Sequence, residues 1–195
     1  FPLEGEGGLG VAREYLELDE TTAGALTDPS RPIVLARICN SEPCSRPKVS
    51  RAKLALTAIA PGLRELGAFL PYSPLHHELL ARFGRPVVAT SGNISGEPVI
   101  TDNTEAEQRL SQVADAFLHH DRPIVRPADD PVVRPMQGRV RPIRLGRGIA
   151  PLEVELPGEL TRAVLATGGH MKDTVALAWK DRVVVSPHIG DLDSP

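Results

Sequence analysis

The sequence predicts an α/β or α+β fold built from short elements. Strand-like apolar runs at 33–38 and 86–90 are separated by a helical pattern, and further short β segments follow the second run. The apolar pattern changes again after a Pro- and Glu-containing stretch, where closely spaced strands begin. We therefore expect a domain at 1–150, a linker at 151–162 and the opening β-meander of a second domain at 163–195.

The N-terminal half contains brief helical and strand patterns. Residues 11–18 and 21–26 are predicted as short helices, and 33–38 as a strand. Residues 39–53 have no clear period, which predicts a loop. Pro74 precedes the amphipathic stretch LHHELLARF, and proline fits the first turn of a helix.

The central and C-terminal parts add one helix and several strands. Asp102 precedes Glu105 by three residues, which is the spacing of a capping box. The helix that follows is predicted to carry Ala106, Leu110, Val113, Ala114 and Phe117 on one face. Predicted β segments lie at 116–118, 124–125, 132–133, 140–145, 163–167, 174–179 and 182–186, with turns at Gly168-Gly169 and Lys180-Asp181.

The run at 86–90 ends in Ser91, Gly92 and Asn93, and this triplet is the first candidate site. Ligands of α/β folds bind at the carboxyl ends of strands. Glycine allows an anion to approach the backbone, while serine and asparagine add hydrogen-bond donors. An ordinary Gly/Asn/Ser turn is the alternative interpretation.

An arginine cluster is the second candidate. Guanidinium groups suit bidentate contacts with phosphate oxygens, although solvated strand faces would also explain scattered charge. Asp129 and Asp130 lie within the cluster, either as magnesium ligands or as arginine partners. The cluster comprises Arg122, Arg126, Arg134, Arg139, Arg141, Arg144 and Arg147.

The remaining patterns give weaker signals. Gly168 and Gly169, followed by Lys172, would either cradle a phosphate or form a simple hairpin turn. Adjacent histidines such as His76 and His77 point to different helix faces, so they do not form a chelating pair. The two cysteines, Cys39 and Cys44, lack the second pair that a zinc site needs, and we predict no metal site.

Composition narrows the classes of function. Aromatic residues make up 4% of the chain, which argues against a protein that stacks single-stranded bases. No apolar run is long enough to cross a membrane, and the start lacks the pattern of a signal peptide. Sparse cysteine use fits a cytoplasmic location. Both ends look internal, so we expect a fragment of a longer chain.

Four segments together resemble the HypF family of hydrogenase-maturation carbamoyltransferases. They are LPYSPLHHELL (70–80), TSGNISGEP (90–98), HDRPIVRPADDPVVR (120–134) and GGHMKDTVALAW…SPHIGDL (168–192). The resemblance implies a YrdC-like domain, with a twisted mixed sheet and flanking helices. It also implies the first strands of a C-terminal carbamoyl-transfer domain of the actin/hexokinase-like ATPase type.

This resemblance implies a chemistry. Carbamate derived from carbamoyl phosphate would be adenylated with ATP and Mg, and the carbamoyl group would pass to a cysteine of the maturation protein HypE. Ser91, Asn93, Arg144 and Arg147 would act in the reaction. The nucleotide pocket would also include Tyr72, His76, Thr90, Gly92, Arg126 and Asp130. The second domain would supply a phosphate loop of Gly168, Gly169 and Lys172.

Two departures and two alternatives accompany the resemblance. The upstream Lys-x-Arg motif of YrdC proteins has no clear counterpart, which puts the activity of this chain alone in doubt, and Pro131 stands where serine is expected.

One alternative is a threonylcarbamoyl-AMP synthase for tRNA modification. The other is a binder of double-stranded RNA, whose affinity would fall steeply with salt.

Overall fold

A computed structural model of the chain describes residues 1–3, 8–39, 55–94, 97–170 and 173–190. It forms two units, which are Phe1–Val88 with Asp130–Arg144, and Ala89–Asp129 with Leu145–Pro195. The loop predicted at 39–53 lies outside the described residues apart from Cys39, and so does Lys172. Of the helices in the described ranges, none is long and apolar enough to cross a membrane.

The first unit contains a four-stranded mixed sheet. Its order is β2-β1-β3-β4, with β1 antiparallel to β2 and parallel to β3, while β3 and β4 form an antiparallel hairpin. The strands are β1 (Ile33–Arg37), β2 (Glu65–Ala68), β3 (Val132–Met136) and β4 (Arg139–Arg144). The helices are α1 (Gly10–Arg13), α2 (Glu20–Thr27), α3 (Leu56–Ile59) and α4 (Pro74–Phe83). This mixture confirms the predicted fold class.

One face of this sheet is buried under α2. The burial of β1 alternates, so that Val34 and Ala36 point inward, and Val133 of β3 lies beside them. Leu26 of α2 is also fully buried, and α2 contacts β1, β3 and β4. Because strand side chains alternate, the opposite face carries the odd-numbered residues of β1, which end in the exposed Arg37.

The second unit contains an antiparallel sheet of order β5-β8-β7-β6 and a single helix among its described residues, α5 (Asn103–Leu110). The strands are β5 (Leu152–Glu155), β6 (Val164–Ala166), β7 (Ala176–Trp179) and β8 (Arg182–Val185). The last three form the predicted meander, with Lys180 at a φ of 51° in the turn between β7 and β8.

Strand β5 lies within the segment that we expected to be a linker. Leu152 and Val154 pair with Val185 and Val183 of β8. The alternation of apolar residues in this segment is typical of a strand, whereas Pro151 and Pro157 on either side of it favour a linker. The proposed domain limits at 150 and 163 stay predictions.

Helix α1 is shorter than the predicted helix at 11–18. The chain leaves the helix after Arg13, and Leu16 forms an antiparallel bridge with Ile38. The main-chain N–H of Glu17 donates to the oxygen of Arg37 at 2.9 Å, which extends this pairing. Sheet pairing and burial of Leu16, which is 1% exposed, outweigh the helical preference of this segment.

The predicted strand at 86–90 does not form. Among the described residues it has no strand partner, and Val88 is 72% exposed. Pro86 also lacks the N–H that a ladder would use. The predicted segments 116–118 and 124–125 likewise have no strand structure, whereas those at 132–133 and 140–145 correspond to β3 and β4.

Helix α5 begins as predicted but ends early. Asp102 caps it by accepting a hydrogen bond from the N–H of Glu105 at 2.8 Å. The helix stops at Leu110, where the hydroxyl of Ser111 donates back to the oxygen of Gln108 at 3.2 Å. The predicted apolar face therefore does not continue, and Val113 is 79% exposed.

Candidate functional site

The Ser91–Asn93 segment forms a loop that its own side chains hold together. Ser91 Oγ donates to Asn93 Oδ1, and Asn93 Nδ2 donates to the main-chain oxygens of Glu97 and Ile94 at 2.8 and 3.1 Å. The N–H of Ile100 donates to the oxygen of Gly92 at 3.0 Å and closes the loop. The triplet is therefore shaped by local polar contacts, as in an Asx-type turn, rather than by a strand end.

A salt bridge anchors this loop to α5. Arg109 contacts the carboxylates of Glu97 and Glu105, the latter at 2.8 Å. Because Glu97 also provides the oxygen that Asn93 binds, the helix supports the Ser-Gly-Asn loop through one residue. We did not identify Glu97 and Arg109 from the sequence, although their residue types on a loop and a helix face are typical of such anchors.

Gly92 is exposed at the tip of the loop, where the local structure does not require glycine. Its φ lies outside the left-handed region, and an added Cβ would meet no atom within 4 Å among the described residues. Because glycine has no side chain, an anion can approach the backbone closely at this position, even though the local fold does not require glycine there. This geometry is compatible with both the binding interpretation and an ordinary turn.

In the first unit, Tyr72 and His76 lie against one another. Their ring centroids are 4.6 Å apart with an interplanar angle of 77°, which is an edge-to-face contact. Ser73 caps α4 by accepting from the N–H of His76 at 3.2 Å, and Pro74 occupies the first turn as predicted. Tyr72 remains 40% exposed, so a flat ligand can reach this aromatic pair.

Asp130 and Arg144 are also brought together in the first unit. Arg144 Nε donates to the main-chain oxygen of Asp130 at 2.9 Å. Between Asp130 and β3, Pro131 is fully buried and its oxygen accepts from the N–H of Ile33 at 2.8 Å. Proline here packs into the core, and its carbonyl continues the parallel β1–β3 pairing.

A cavity of about 890 Å³ opens beside the face of β1 that carries Leu35 and Arg37, opposite the face packed against α2. Arg37, Arg64 and Arg134 line it, and Arg134 forms a salt bridge with Glu65 at 2.9 Å. Its volume is in the range of small-molecule sites. The predicted residues of this unit, Tyr72, His76, Asp130 and Arg144, are not among its lining residues, and the sequence interpretation missed Arg37 and Arg64.

In the second unit, Arg147 lies in a turn tied to Asp129. The N–H of Arg147 donates to the oxygen of Asp129 at 3.0 Å, and the Asp129 carboxylate contacts His188 Nδ1 at 2.9 Å. Asp129 therefore has a histidine partner, which neither of the two predicted roles included. Arg126 is exposed, and Thr90 is exposed beside Ser91. The described residues contain no group of three or more His, Cys, Asp or Glu side chains suited to a metal ion.

The two glycines of the predicted phosphate loop differ. Gly168 has a φ of 72°, and an added Cβ would overlap Asp173 Oδ1 and lie 2.5 Å from the oxygen of Thr174. Gly169 has an ordinary φ, and an added Cβ there would meet no described atom within 4 Å. The turn requires glycine at 168, whereas the backbone at 169 is open, and the predicted phosphate loop of Gly168, Gly169 and Lys172 stays a prediction.

Comparison with known sequences identifies the family. The sequence model of the Sua5/YciO/YrdC family, described as "Telomere recombination", matches residues 42–146, which is more than half of the chain. The chain belongs to the Sua5/YciO/YrdC family. A second model, the HypF Kae1-like domain, matches residues 159–195, beyond the Sua5/YciO/YrdC match.

Relatives of this Sua5/YciO/YrdC chain include carbamoyltransferases named HypF. It is 40% identical over 188 residues to the protein of Synechocystis sp. and 43% identical over 171 residues to that of Rhodobacter capsulatus. These matches cover 96% and 87% of this chain but only 23% and 21% of the two relatives. They confirm the predicted resemblance to HypF.

A solved structure agrees with these matches. Full-length HypF in its phosphate- and nucleotide-bound form superposes with a TM-score of 0.78 and 35% identity. The superposition covers 94% of this chain and 27% of the HypF chain. The YrdC-like fold is therefore confirmed for a chain that spans about a quarter of the HypF protein.

Proposed function

We propose that the chain binds ATP and is the carbamate-activating part of a carbamoyltransferase of hydrogenase maturation. The observation that carries the proposal is its similarity, over 94% of the chain, to HypF bound to phosphate and nucleotide. The exposed Ser91–Asn93 loop supports it, because Gly92 offers an open backbone that the local fold does not require. The tyrosine–histidine pair at Tyr72 and His76 supports a place for the base.

The proposed reaction needs stabilisation of negative charge. An oxygen of carbamate attacks the α-phosphorus of ATP, and the bond to pyrophosphate breaks. Charge builds on the phosphate oxygens during this step, so fixed cations and N–H donors supply most of the catalysis. The backbone of Gly92 would donate to phosphate, Ser91 would hold the loop in shape through its hydrogen bond to Asn93, and Arg144 and Arg147 would neutralise the phosphate charge. Asn93 would orient the loop, and Mg would enter with the nucleotide.

The later steps are proposals of the same kind. Carbamoyl phosphate would be hydrolysed to carbamate and phosphate before activation, and the carbamoyl group would afterwards pass from the adenylate to a cysteine sulfur of the maturation protein HypE, with AMP as the leaving group. Gly168, Gly169 and Lys172 would contact phosphate in the second unit. A cytoplasmic location also stays a prediction.

The match to the HypF Kae1-like domain favours carbamoyl transfer over a threonylcarbamoyl-AMP synthase, because it lies outside the Sua5/YciO/YrdC match. Double-stranded RNA binding is a second candidate, which the exposed Arg139 and Arg141 of β4 support. An RNA complex that neutralises several phosphates would weaken steeply as salt rises, whereas nucleotide binding would change less.

Calorimetric titration with Mg-ATP tests the proposal. We expect saturable binding, which Arg147→Ala should weaken about tenfold or more, as for the loss of a hydrogen bond to a charged group. Ser91→Ala should also weaken it, because the variant loses the hydrogen bond that fixes Asn93 in the loop. Arg162→Ala, which removes an exposed arginine of the same unit, is the matched control and should bind like the parent chain. Binding that neither Ser91→Ala nor Arg147→Ala changes would refute the site.

A further inference from the structure

Three hydrogen bonds tie the turn of Arg147 to two distant parts of the second unit. The N–H of Arg147 donates to the oxygen of Asp129 at 3.0 Å. The N–H of His188 donates to the oxygen of Leu145 at 2.8 Å. His188 Nδ1 contacts the Asp129 carboxylate at 2.9 Å and completes the ring. The 145–147 turn is thus held on one side by Asp129 and on the other by His188.

The His188 side chain is largely buried where it contacts Asp129. Its side chain is 10% exposed, and that of Asp129 is 30% exposed. His188 Nε2 is buried and has no hydrogen-bond partner among the described residues, so the imidazole makes its polar contact through Nδ1. A charge-assisted contact in such a sheltered position is stronger than one in water.

We propose that His188 is a positioning residue for Arg147, acting through Asp129 and the main chain of the 145–147 turn. His188 lies in the segment matched by the HypF Kae1-like domain, and Asp129 lies in the Sua5/YciO/YrdC match. The second matched segment therefore completes a turn that begins at the end of the first match and carries a proposed phosphate-binding arginine. The inference about nucleotide affinity rests on the function proposed above for Arg147.

Side-chain shape gives a sharp set of variants. The amide nitrogen of asparagine falls near the position of Nδ1 of histidine and donates a hydrogen bond, whereas that of glutamine corresponds to Nε2. His188→Asn should therefore keep the contact with Asp129, while His188→Gln and His188→Ala should lose it. His119→Ala is the matched control, because His119 also contacts a carboxylate, that of Glu107, at 2.8 Å.

The experiment combines two measurements on the 195-residue chain. Amide hydrogen exchange reports whether the N–H of Arg147 stays protected, and calorimetry with Mg-ATP reports affinity. We expect faster exchange at Arg147 and about tenfold weaker binding in the alanine and glutamine variants, as for loss of a charge-assisted hydrogen bond. His188→Asn and His119→Ala should behave like the parent.

A double-mutant cycle separates positioning from a general loss of stability. If His188 acts through Arg147, His188→Ala should cost no further affinity when Arg147 is already alanine. Equal costs in both backgrounds would overturn the positioning role. So would His188→Asn exchanging and binding as poorly as His188→Ala.

Failure of the proposed function gives a different result. In that case Arg147→Ala and Ser91→Ala leave Mg-ATP binding unchanged, and hydrogen exchange alone decides. Faster exchange at Arg147 in His188→Ala, with protection kept in His188→Asn, would support the positioning of the turn. Unchanged exchange in His188→Ala would refute it.

Discussion

Ser91 donates its hydroxyl hydrogen to the side-chain oxygen of Asn93, while the Asn93 amide nitrogen donates to the main-chain oxygens of Glu97 and Ile94. The hydrogens of both side chains are thus engaged within the loop, and this fixes the direction of each group. Ser91 and Gly92 are both exposed, whereas Asn93 is half-buried. The two polar side chains therefore organise the loop, and the backbone is its most open part.

Asn93→Asp tests the organising role of the amide. The substitution preserves shape but replaces a donor with a carboxylate oxygen facing two carbonyl oxygens, so the loop should open. We expect faster hydrogen exchange at Ile100 and Mg-ATP binding weakened about tenfold or more, since a buried or paired donor is lost. Asn103→Asp, at the exposed start of α5, is the matched control and should change neither quantity. Unaltered exchange at Ile100 in Asn93→Asp would contradict this role.

Gly92→Ala separates binding from folding. The added methyl group meets no described atom within 4 Å, so the free energy of unfolding should change by less than about 0.5 kcal/mol, as at ordinary surface positions. Mg-ATP affinity should nevertheless fall, because the methyl group blocks the approach of phosphate to the backbone. Gly158→Ala, at another open glycine of the same unit, should leave both stability and affinity unchanged. Equal ATP affinities of the two variants would count against phosphate binding at Gly92.

Gly168 and Gly169 should respond in opposite ways. Gly168→Ala places a methyl group on Asp173 and Thr174 at a φ of 72°, and we expect destabilisation of about 2 kcal/mol or more from strain and overlap. Gly169→Ala should be nearly neutral in chemical denaturation. If Gly169→Ala proved as destabilising as Gly168→Ala, the difference that we infer between the two glycines would be wrong.

Asp19 caps α2 and should make stability depend on pH. Hydrogen bonds from the side chain and the main-chain N–H of Thr22, the latter at 2.7 Å, lower the pKa of the Asp19 carboxyl below its ordinary value of 3.8. The unfolded chain therefore binds a proton more readily, so the contribution is present above pH 3.8 and is lost as pH falls through the lower folded value.

Asp19→Ala should cost about 1 kcal/mol at neutral pH, as for other helix caps. The difference in unfolding free energy from the parent should shrink in acid. Asp19→Asn keeps a capping oxygen without the charge, so it should retain most of the stability and lose the pH dependence. Asp115→Ala removes an exposed carboxylate outside the helix and is the control. A constant difference between parent and Asp19→Ala from pH 7 to pH 2 would refute the assignment.

The sequence was most informative where one local signal decides the structure. Pro74 marked the start of α4, and the Asp102–Glu105 spacing marked the start of α5. These caps depend on residues within a single turn, so no distant contact is needed to predict them.

Elements that depend on distant partners were predicted less well. The apolar run at 86–90 has the composition of a strand, but a strand forms only by pairing, which composition does not reveal. Conversely, β2 was missed because its four residues gain their structure from pairing with β1. The contact between Asp129 and His188 spans 59 positions and could not be anticipated from spacing.

That contact bears on how such chains are divided for study. The Sua5/YciO/YrdC match ends at residue 146 and the HypF Kae1-like match begins at residue 159. A shortened chain would therefore naturally be ended between these two residues. A chain that ends at residue 146 lacks Arg147, and one that ends a few residues later keeps it. Both lack His188. An apparently intact nucleotide-binding domain made this way would lack the contact between His188 and Asp129, and its weak affinity would wrongly be attributed to the domain itself.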